Sequence, residues 1–319
     1  MIHYLGIDIS KRDFHVSFDE EGDILKFTNT PQGIKGFIKY LKSNDFTPKN
    51  TILGMEATGS YHLALAFLLT QSGYITYIIN PLVTANASRK NIRKVKTDKA
   101  DARLIRYCLI NGAGYPFRET ADSLGLKTLV RHRSAFAMLR QRARLRQAEV
   151  NYRQEYLKTE ISDVNGELYD FLTDRMRYMD KQLARHNPET QKLLRSIPGI
   201  GPQTAATLVS EIGDITRFPD SKKLTAFIGL DCRVHQSGTS INGKGYITKR
   251  GNKLIRTRLF NAAGIAVIHP PNMFHDFFEK KRSEGKPYRV ALVATMHKMV
   301  HVIHAVWTRG EPFVNRKNV

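Results

Sequence analysis

The chain has 319 residues, 41% of them hydrophobic, which supplies real cores and excludes a globally disordered chain. Lys and Arg number 50 against 29 Asp and Glu; the net charge of +21 favours a polyanionic partner, nucleic acid ahead of an anionic membrane. Cys108 and Cys232 are the two cysteines, far apart, which excludes a zinc ribbon and suits a reducing compartment. With no unbroken run of about 18 apolar residues and no basic-then-apolar layout at the start, a soluble, cytoplasmic protein without membrane association is expected.

In chain order, His3 to Ile9, Asp13 to Phe18 and Asp23 to Phe27 read as three short strands of an antiparallel meander. Thr30-Pro31 opens a helix through about Leu41, with Ile34, Phe37, Ile38 and Leu41 on one face. Thr51 to Met55 is a buried-type strand ending in Glu56. Ser60 is placed to cap the helix from Tyr61 to Gln71. Tyr74 to Ile79 is a strand, Pro81 begins another helix, and Asp98 lies in a further one. This order predicts a mixed sheet with helices on its faces.

Four carboxylates stand out. Asp8 and Glu56 end two strands, where sheets of this kind line a ligand crevice. Asp98 and Asp101 are three apart, on one face of a helix crowded with Lys94, Lys96, Lys99 and Arg103. Taken alone, that pair also reads as solvated helix charge. Taken with Asp8 and Glu56, the set suits a hard cation, Mg²⁺ for preference; two ions about 4 Å apart would serve phosphoryl transfer.

From Ala121 to Arg185 glycine and proline nearly vanish. Leu129, Phe136, Ala143 and Val150 repeat at seven, and Arg140, Arg142, Arg144 and Arg146 fall between apolar positions. A helical hairpin follows, either a dimerising coiled coil or a pair of ordinary bundle helices; His132 and Arg146 interrupt the seam. Pro198-Gly199-Ile-Gly201-Pro202 then separates two helices as a helix–hairpin–helix does. Its glycines admit a phosphate to backbone amides and to the next helix N-terminus. A purely structural turn is the other reading.

Leu230 to His235 reads as a strand leading into a glycine-rich loop that holds Ser237 and Ser240. Lys244, Lys249, Arg250, Lys253, Arg256 and Arg258 follow with no acid among them. Ser237 beside Gly238 is a candidate nucleophile, although serine in such a loop is more often simply loop. His297, His301 and His304 share a helix face; zinc there is conceivable, and a basic, partly buried face is the plainer reading.

Gly6-Ile-Asp8, Glu56-Ala-Thr-Gly-Ser-Tyr61, Lys96-Thr-Asp98 with Asp101-Ala-Arg103, Pro198-Gly-Ile-Gly201 and Ser237-Gly238 occur in this order along nearly the whole chain. Together they resemble the DEDD insertion-sequence transposases, the bridge-RNA-guided recombinases of the IS110 family, to which the Piv invertases are related. The resemblance implies an α/β RuvC-like (RNase H-like) domain over 1–115, a coiled-coil linker over 116–188, and a mainly α transposase domain over 189–319. It implies Asp8, Glu56, Asp98 and Asp101 as the Mg²⁺-holding tetrad and Ser237, with Ser240 as the alternative, as the nucleophile that links to DNA. It also implies target and donor DNA and a structured guide RNA as partners, and a dimer that assembles into a tetramer. Gly199, Gly201, Lys244, Lys249, Arg250, Lys253, Arg256, Arg140 and Arg144 are the expected nucleic-acid contacts. A metal-dependent nuclease that uses water, and a non-catalytic nucleic-acid-binding protein, are the alternatives.

Overall fold

The computed structural model describes residues 1–57, 59–90, 98–157, 164–231 and 247–315; the side chains at 89, 90, 98, 99 and 157 lie outside that description. The chain forms two compact units, Met1–Ala121 and Asp122–Val319.

The first unit is built on a six-stranded mixed sheet: β1 His3–Ile9, β2 Asp13–Ser17, β3 Ile24–Thr28, β4 Thr51–Glu56, β5 Ile75–Ile79 and β6 Tyr115–Pro116, in the spatial order β3-β2-β1-β4-β5-β6. β1 to β3 are an antiparallel meander, whereas β1, β4 and β5 run parallel through helical crossovers. Alternation sorts β1 into two faces. Ile9 pairs with Phe14, and Phe14 packs with Phe27 and with Phe37 of helix α1 (Pro31–Ser43). Leu5, Ile7 and Ile9 therefore face the larger core on that side. Thr30 caps α1 by accepting from the Gly33 amide, with Pro31 in the first turn.

The opposite face is covered by α3 (Pro81–Lys90) and α4 (Asp98–Ile110), around Ile79, Ile105, Cys108 and Leu109. α4 lies very close to the sheet. A Cβ on Gly6 would stand 2.3 Å from the Ala102 carbonyl and 2.4 Å from the Arg106 amide, so only glycine admits the helix there. Gly54, paired with Gly6 across the strands, lies under Leu109. One expected cap differs. Helix α2 (His62–Gln71) has Tyr61 at its N-cap without a side-chain cap, and Ser60 contributes its carbonyl, not its hydroxyl, to the Leu63 amide.

The second unit is helical: α5 Ala121–Leu157, α6 Val164–Arg185, α7 Pro188–Arg195, α8 Pro202–Ile212, α9 Ser221–Ile228, α10 Lys253–Ile268, α11 Met273–Ser283 and α12 Tyr288–Arg309. Leu126 and Val130 of α5 and Leu183 of α6 join the same core as α7 to α12. The buried stripe of α5 differs from the expected heptad. Leu126, Val130, Arg133 and Ala143 are buried, whereas Leu139 is exposed and Leu129, Phe136 and Val150 are half-buried. The reason is Arg133, which enters the buried row because Asp180 of α6 accepts two of its N–H groups at 2.9 and 3.0 Å. A cation is paired where hydrophobic periodicity expects an apolar side chain.

α12 is long and apolar enough to cross a membrane by length and composition. His297, Lys298, His301 and His304 interrupt it, so no unbroken apolar run shows in the sequence. Its Leu292, Met296, Met299, Val300 and Ile303 are buried in the core of the unit, as a central bundle helix requires.

Candidate active site and nucleic-acid interface

In the first unit the sheet and α4 bring the predicted acids to one end. Parallel pairing sets Ile7 beside Met55, so Asp8 and Glu56 stand at the next step of the register, on strands about 5 Å apart. Each lies two residues beyond a glycine that faces α4, and alternation turns both toward the same helix. The direction of α4 follows from its contacts. Arg106 donates from Nε to the Tyr4 carbonyl at 2.8 Å, while Ala102 and Arg106 overlie Gly6. The helix therefore runs antiparallel to β1, and its first turn, with Asp98 and Asp101, lies toward the strand ends that carry Asp8 and Glu56.

Asp8, Glu56 and Asp101 are each half-buried. The Thr84 hydroxyl of α3 donates to Glu56 Oε2 at 2.7 Å and fixes that carboxylate. Burial, and then the Glu56 charge, raise the pKa of the nearby Cys108 thiol, which keeps it protonated and inert. Arg103 turns away from the acids and donates to the carbonyls of Glu21 and Gly22 in the β2–β3 turn, at 3.2 and 2.9 Å. Among the described residues no group of three or more His, Cys, Asp or Glu side chains is spaced to hold a metal ion. The Asp98 side chain lies outside the described residues.

In the second unit, Ser237, Ser240 and Lys244 fall in 232–246, outside the described residues, as does most of the strand expected over Leu230 to His235. The two ends flanking that stretch are joined. The Thr248 amide donates to the Asp231 carbonyl at 2.8 Å, and its hydroxyl donates to the Asp231 carboxylate at 2.5 Å. Lys249, Arg250 and Lys253 are exposed, with Lys249 at a positive φ of 55°. Arg256 is engaged internally, donating to the Ile228 carbonyl at the end of α9 at 2.7 Å. Arg140 lies over the Tyr169 ring at 5.6 Å, and Arg144 is exposed.

The two glycines of the α7–α8 turn differ. Gly199, at φ 84°, presses on the α10 backbone, where a Cβ would come within 2.2 Å of the Ala262 carbonyl. Gly201 caps α8 without a side chain and has open space where a Cβ would be. The histidines of α12 find local partners: His301 Nδ1 pairs with the Ser221 hydroxyl at 2.6 Å, and His304 Nε2 with the Phe218 carbonyl at 2.9 Å.

Sequence reasoning passes over Glu211. It is buried on α8, accepts from Arg131 at 2.8 and 3.0 Å and from Asn252 Nδ2 at 2.7 Å. Asn252 in turn caps α10 through the Ile255 amide. A lone Glu in an apolar helix is the available signal, since an unpaired buried carboxylate is costly and demands partners elsewhere.

The chain matches two family models: the one described as transposase, of the DEDD type, over residues 5–150, and the transposase family IS116/IS110/IS902 over residues 191–279. It is 30% identical over 320 residues to the pilin gene-inverting protein of Moraxella bovis, covering 98% of each chain. The corresponding protein of Moraxella lacunata is similar to the same extent. Over 135 residues, 42% of this chain and 36% of the relative, it is 36% identical to the transposase for insertion sequence element IS1111A of Coxiella burnetii. With an acid-bearing α/β unit followed by a basic helical one, the chain belongs to the IS110 family of DEDD transposases and is a DNA transposase or recombinase.

Proposed function

We propose that the chain is an insertion-sequence recombinase that cuts and rejoins DNA through a serine–phosphate link. The observation that carries this is the placing of Asp8 and Glu56 on adjacent strand ends, beneath the α4 turn that bears Asp101. Half-buried carboxylates gathered at a sheet end are stabilised by a hard cation, and oxygen donors of this kind fit Mg²⁺. Asp8, Glu56, Asp98 and Asp101 would hold it, and the ion would polarise phosphate oxygen and neutralise charge developing there. Thr84 keeps Glu56 oriented in this reading. We read the first unit as RuvC-like, α5 and α6 as a coiled-coil linker, and the α7–α8 turn as a helix–hairpin–helix that docks on DNA phosphate, with residues 1–115, 116–188 and 189–319 as the three domains.

In the reaction, the Ser237 oxygen bonds to phosphorus as one backbone P–O bond breaks. The serine gives up its proton and the departing DNA hydroxyl gains one, so the link conserves the phosphodiester for rejoining. The Asp231–Thr248 clasp anchors both ends of the segment that carries Ser237. A guide RNA and a tetramer built from dimers, with an acidic unit and a serine segment supplied by different subunits, complete the reading; the net charge of +21 supports a nucleic-acid-rich assembly.

The test is a covalent adduct. Protein mixed with supercoiled DNA and divalent metal, then denatured, should yield DNA attached to protein, and Ser237→Ala should abolish it. Cleavage by Ser237→Ala that leaves free ends would replace the serine link with water as nucleophile. RNA copurifying with protein co-expressed with its element would support the guide; recombination in an RNA-free preparation would refute it.

A further inference from the structure

In the second unit, the start of α8 and one face of α10 frame a pocket of about 480 Å³, with Arg258, Asn261 and Ile265 from α10, Gly201 and Gln203 from the α8 end, and Asp180 from α6 on its wall. Its charge is unbalanced. Asp180 gives both oxygens to Arg133. Arg258 makes no ion pair among the described residues. It donates from Nη2 to the Ser134 hydroxyl at 3.2 Å, reaches Gln203 Oε1 only at 3.5 Å, and has a buried Nε without an acceptor. Two guanidiniums thus share one carboxylate. A partly desolvated cation that only shares a counter-charge is costly, and it strengthens the pull on any anion that reaches it. Burial, followed by the charge of Arg133, holds the Arg258 pKa below the usual arginine value, against the opposing pull of Asp180.

We propose that this pocket is a socket for one phosphate of a nucleic-acid backbone, with the Arg258 guanidinium as its counter-charge. A backbone phosphodiester carries one negative charge, which matches the single excess positive charge. The planar fork of Arg258 suits phosphate oxygens. Asn261, exposed and three residues along α10, puts an amide on the same wall. The first-turn amides of Gln203 and Thr204, which precede the first intrahelical bond from Ala205 to Gly201, add donors on the other side. The inference rests on the reading of the α7–α8 turn as a DNA-docking hairpin, and assigns the charged contact to a residue outside that turn.

The experiment uses full-length protein and any labelled duplex, since a phosphate contact carries no sequence information. Arg258→Gln should weaken binding about tenfold and lower the slope of log K against log salt by about one. Asn261→Asp puts negative charge in the pocket from an exposed position that the fold tolerates, and should weaken binding at least as much. Lys280→Gln, a matched charge loss on exposed surface, should change affinity less than about twofold. Inorganic phosphate should raise the melting temperature of the unaltered protein and not of Arg258→Gln. Gly201→Glu, at a site with room for a side chain, places a carboxylate at both the hairpin and the pocket wall, so it reads the hairpin where Arg258→Gln and Asn261→Asp leave binding unchanged. If Gly201→Glu weakens binding while Arg258→Gln and Asn261→Asp do not, the hairpin stands and the socket falls. If none of the three weakens it, both fall. Protection by inorganic phosphate with duplex affinity unchanged in Arg258→Gln would make the pocket a free-anion site and overturn the nucleic-acid assignment.

Discussion

The two units handle charge in opposite ways. In the α/β unit, backbone geometry gathers carboxylates: Gly6 and Gly54 let α4 press on the sheet, and the acids end up at the strand ends because the strands and helix end there. In the helical unit, side chains do the work. Arg133 with Asp180, and Arg131 with Glu211 and Asn252, tie helices through charged hydrogen bonds and leave Arg258 without a carboxylate of its own. A site set by backbone approach tolerates no added atom, whereas one set by side-chain pairs fails by losing a partner. In the readings proposed above, the first unit would hold cations and the second anions.

Four expected outcomes break or sharpen that contrast. Asp8→Asn should lower DNA strand cleavage roughly a thousandfold while duplex binding stays within about twofold, because the basic surface is untouched. Parallel loss of binding would show that the acidic unit does not serve chemistry alone. Gly6→Val should destabilise the fold by about 3 kcal/mol or more, read from the denaturation midpoint, since the obstructing atoms at 2.3 and 2.4 Å are backbone and cannot move aside. A variant as stable as the parent would deny that α4 seats on β1.

Arg133→Met should cost about 2 kcal/mol. The cost stays modest because the Asp180 side chain is 37% exposed and water re-solvates it once the partner is gone. Adding Asp180→Leu should cost less than Asp180→Leu does alone, since its main partner is already gone; a double variant as weak as the sum of its parts would argue against the pair. The smallest effect concerns His297, whose pKa is held below its usual 6.5, first by burial. The unfolded chain then takes up the proton more readily than the folded one. The stability contributed by neutral His297 is therefore present above pH 6.5 and lost as pH falls through that value toward the folded pKa. His297→Gln should flatten the melting-temperature profile between neutral and mildly acidic pH, and an unchanged profile would refute the linkage.

Much of the first unit was legible because period-two alternation and the cues Thr30-Pro31 and Pro81 bear directly on local structure. Asp8 and Glu56 could be marked as strand-end acids for the same reason. Their register was not legible, because which strands pair depends on long-range packing, and Gly6 in the sequence does not reveal which helix will cover it. In the second unit, the heptad pattern on α5 picked Leu129 and Phe136 over Leu126 and Val130, since counting apolar residues cannot anticipate that Arg133 is buried. The role of Glu211 is not legible in the sequence because its partners, Arg131 and Asn252, lie far away along the chain. Gly199 and Gly201 read alike as a motif, yet one supports packing against α10 and the other leaves open space.

The seating of α4 over Gly6 has a consequence for how the protein is made. Within the first unit β1 precedes the other strands, and the meander β1–β2–β3 needs only near neighbours in sequence to pair. The face of β1 that bears Gly6 and Asp8 stays uncovered until residues 98–110 follow, after β4 and β5 have been inserted beside it. Contacts this distant in sequence form slowly, and chains elongate only about 5–20 residues each second. A nascent chain halted before α4 holds a sheet with one open face and no assembled acidic end. In the proposed reading, the acidic end is complete only once the helix that closes the first unit has been made.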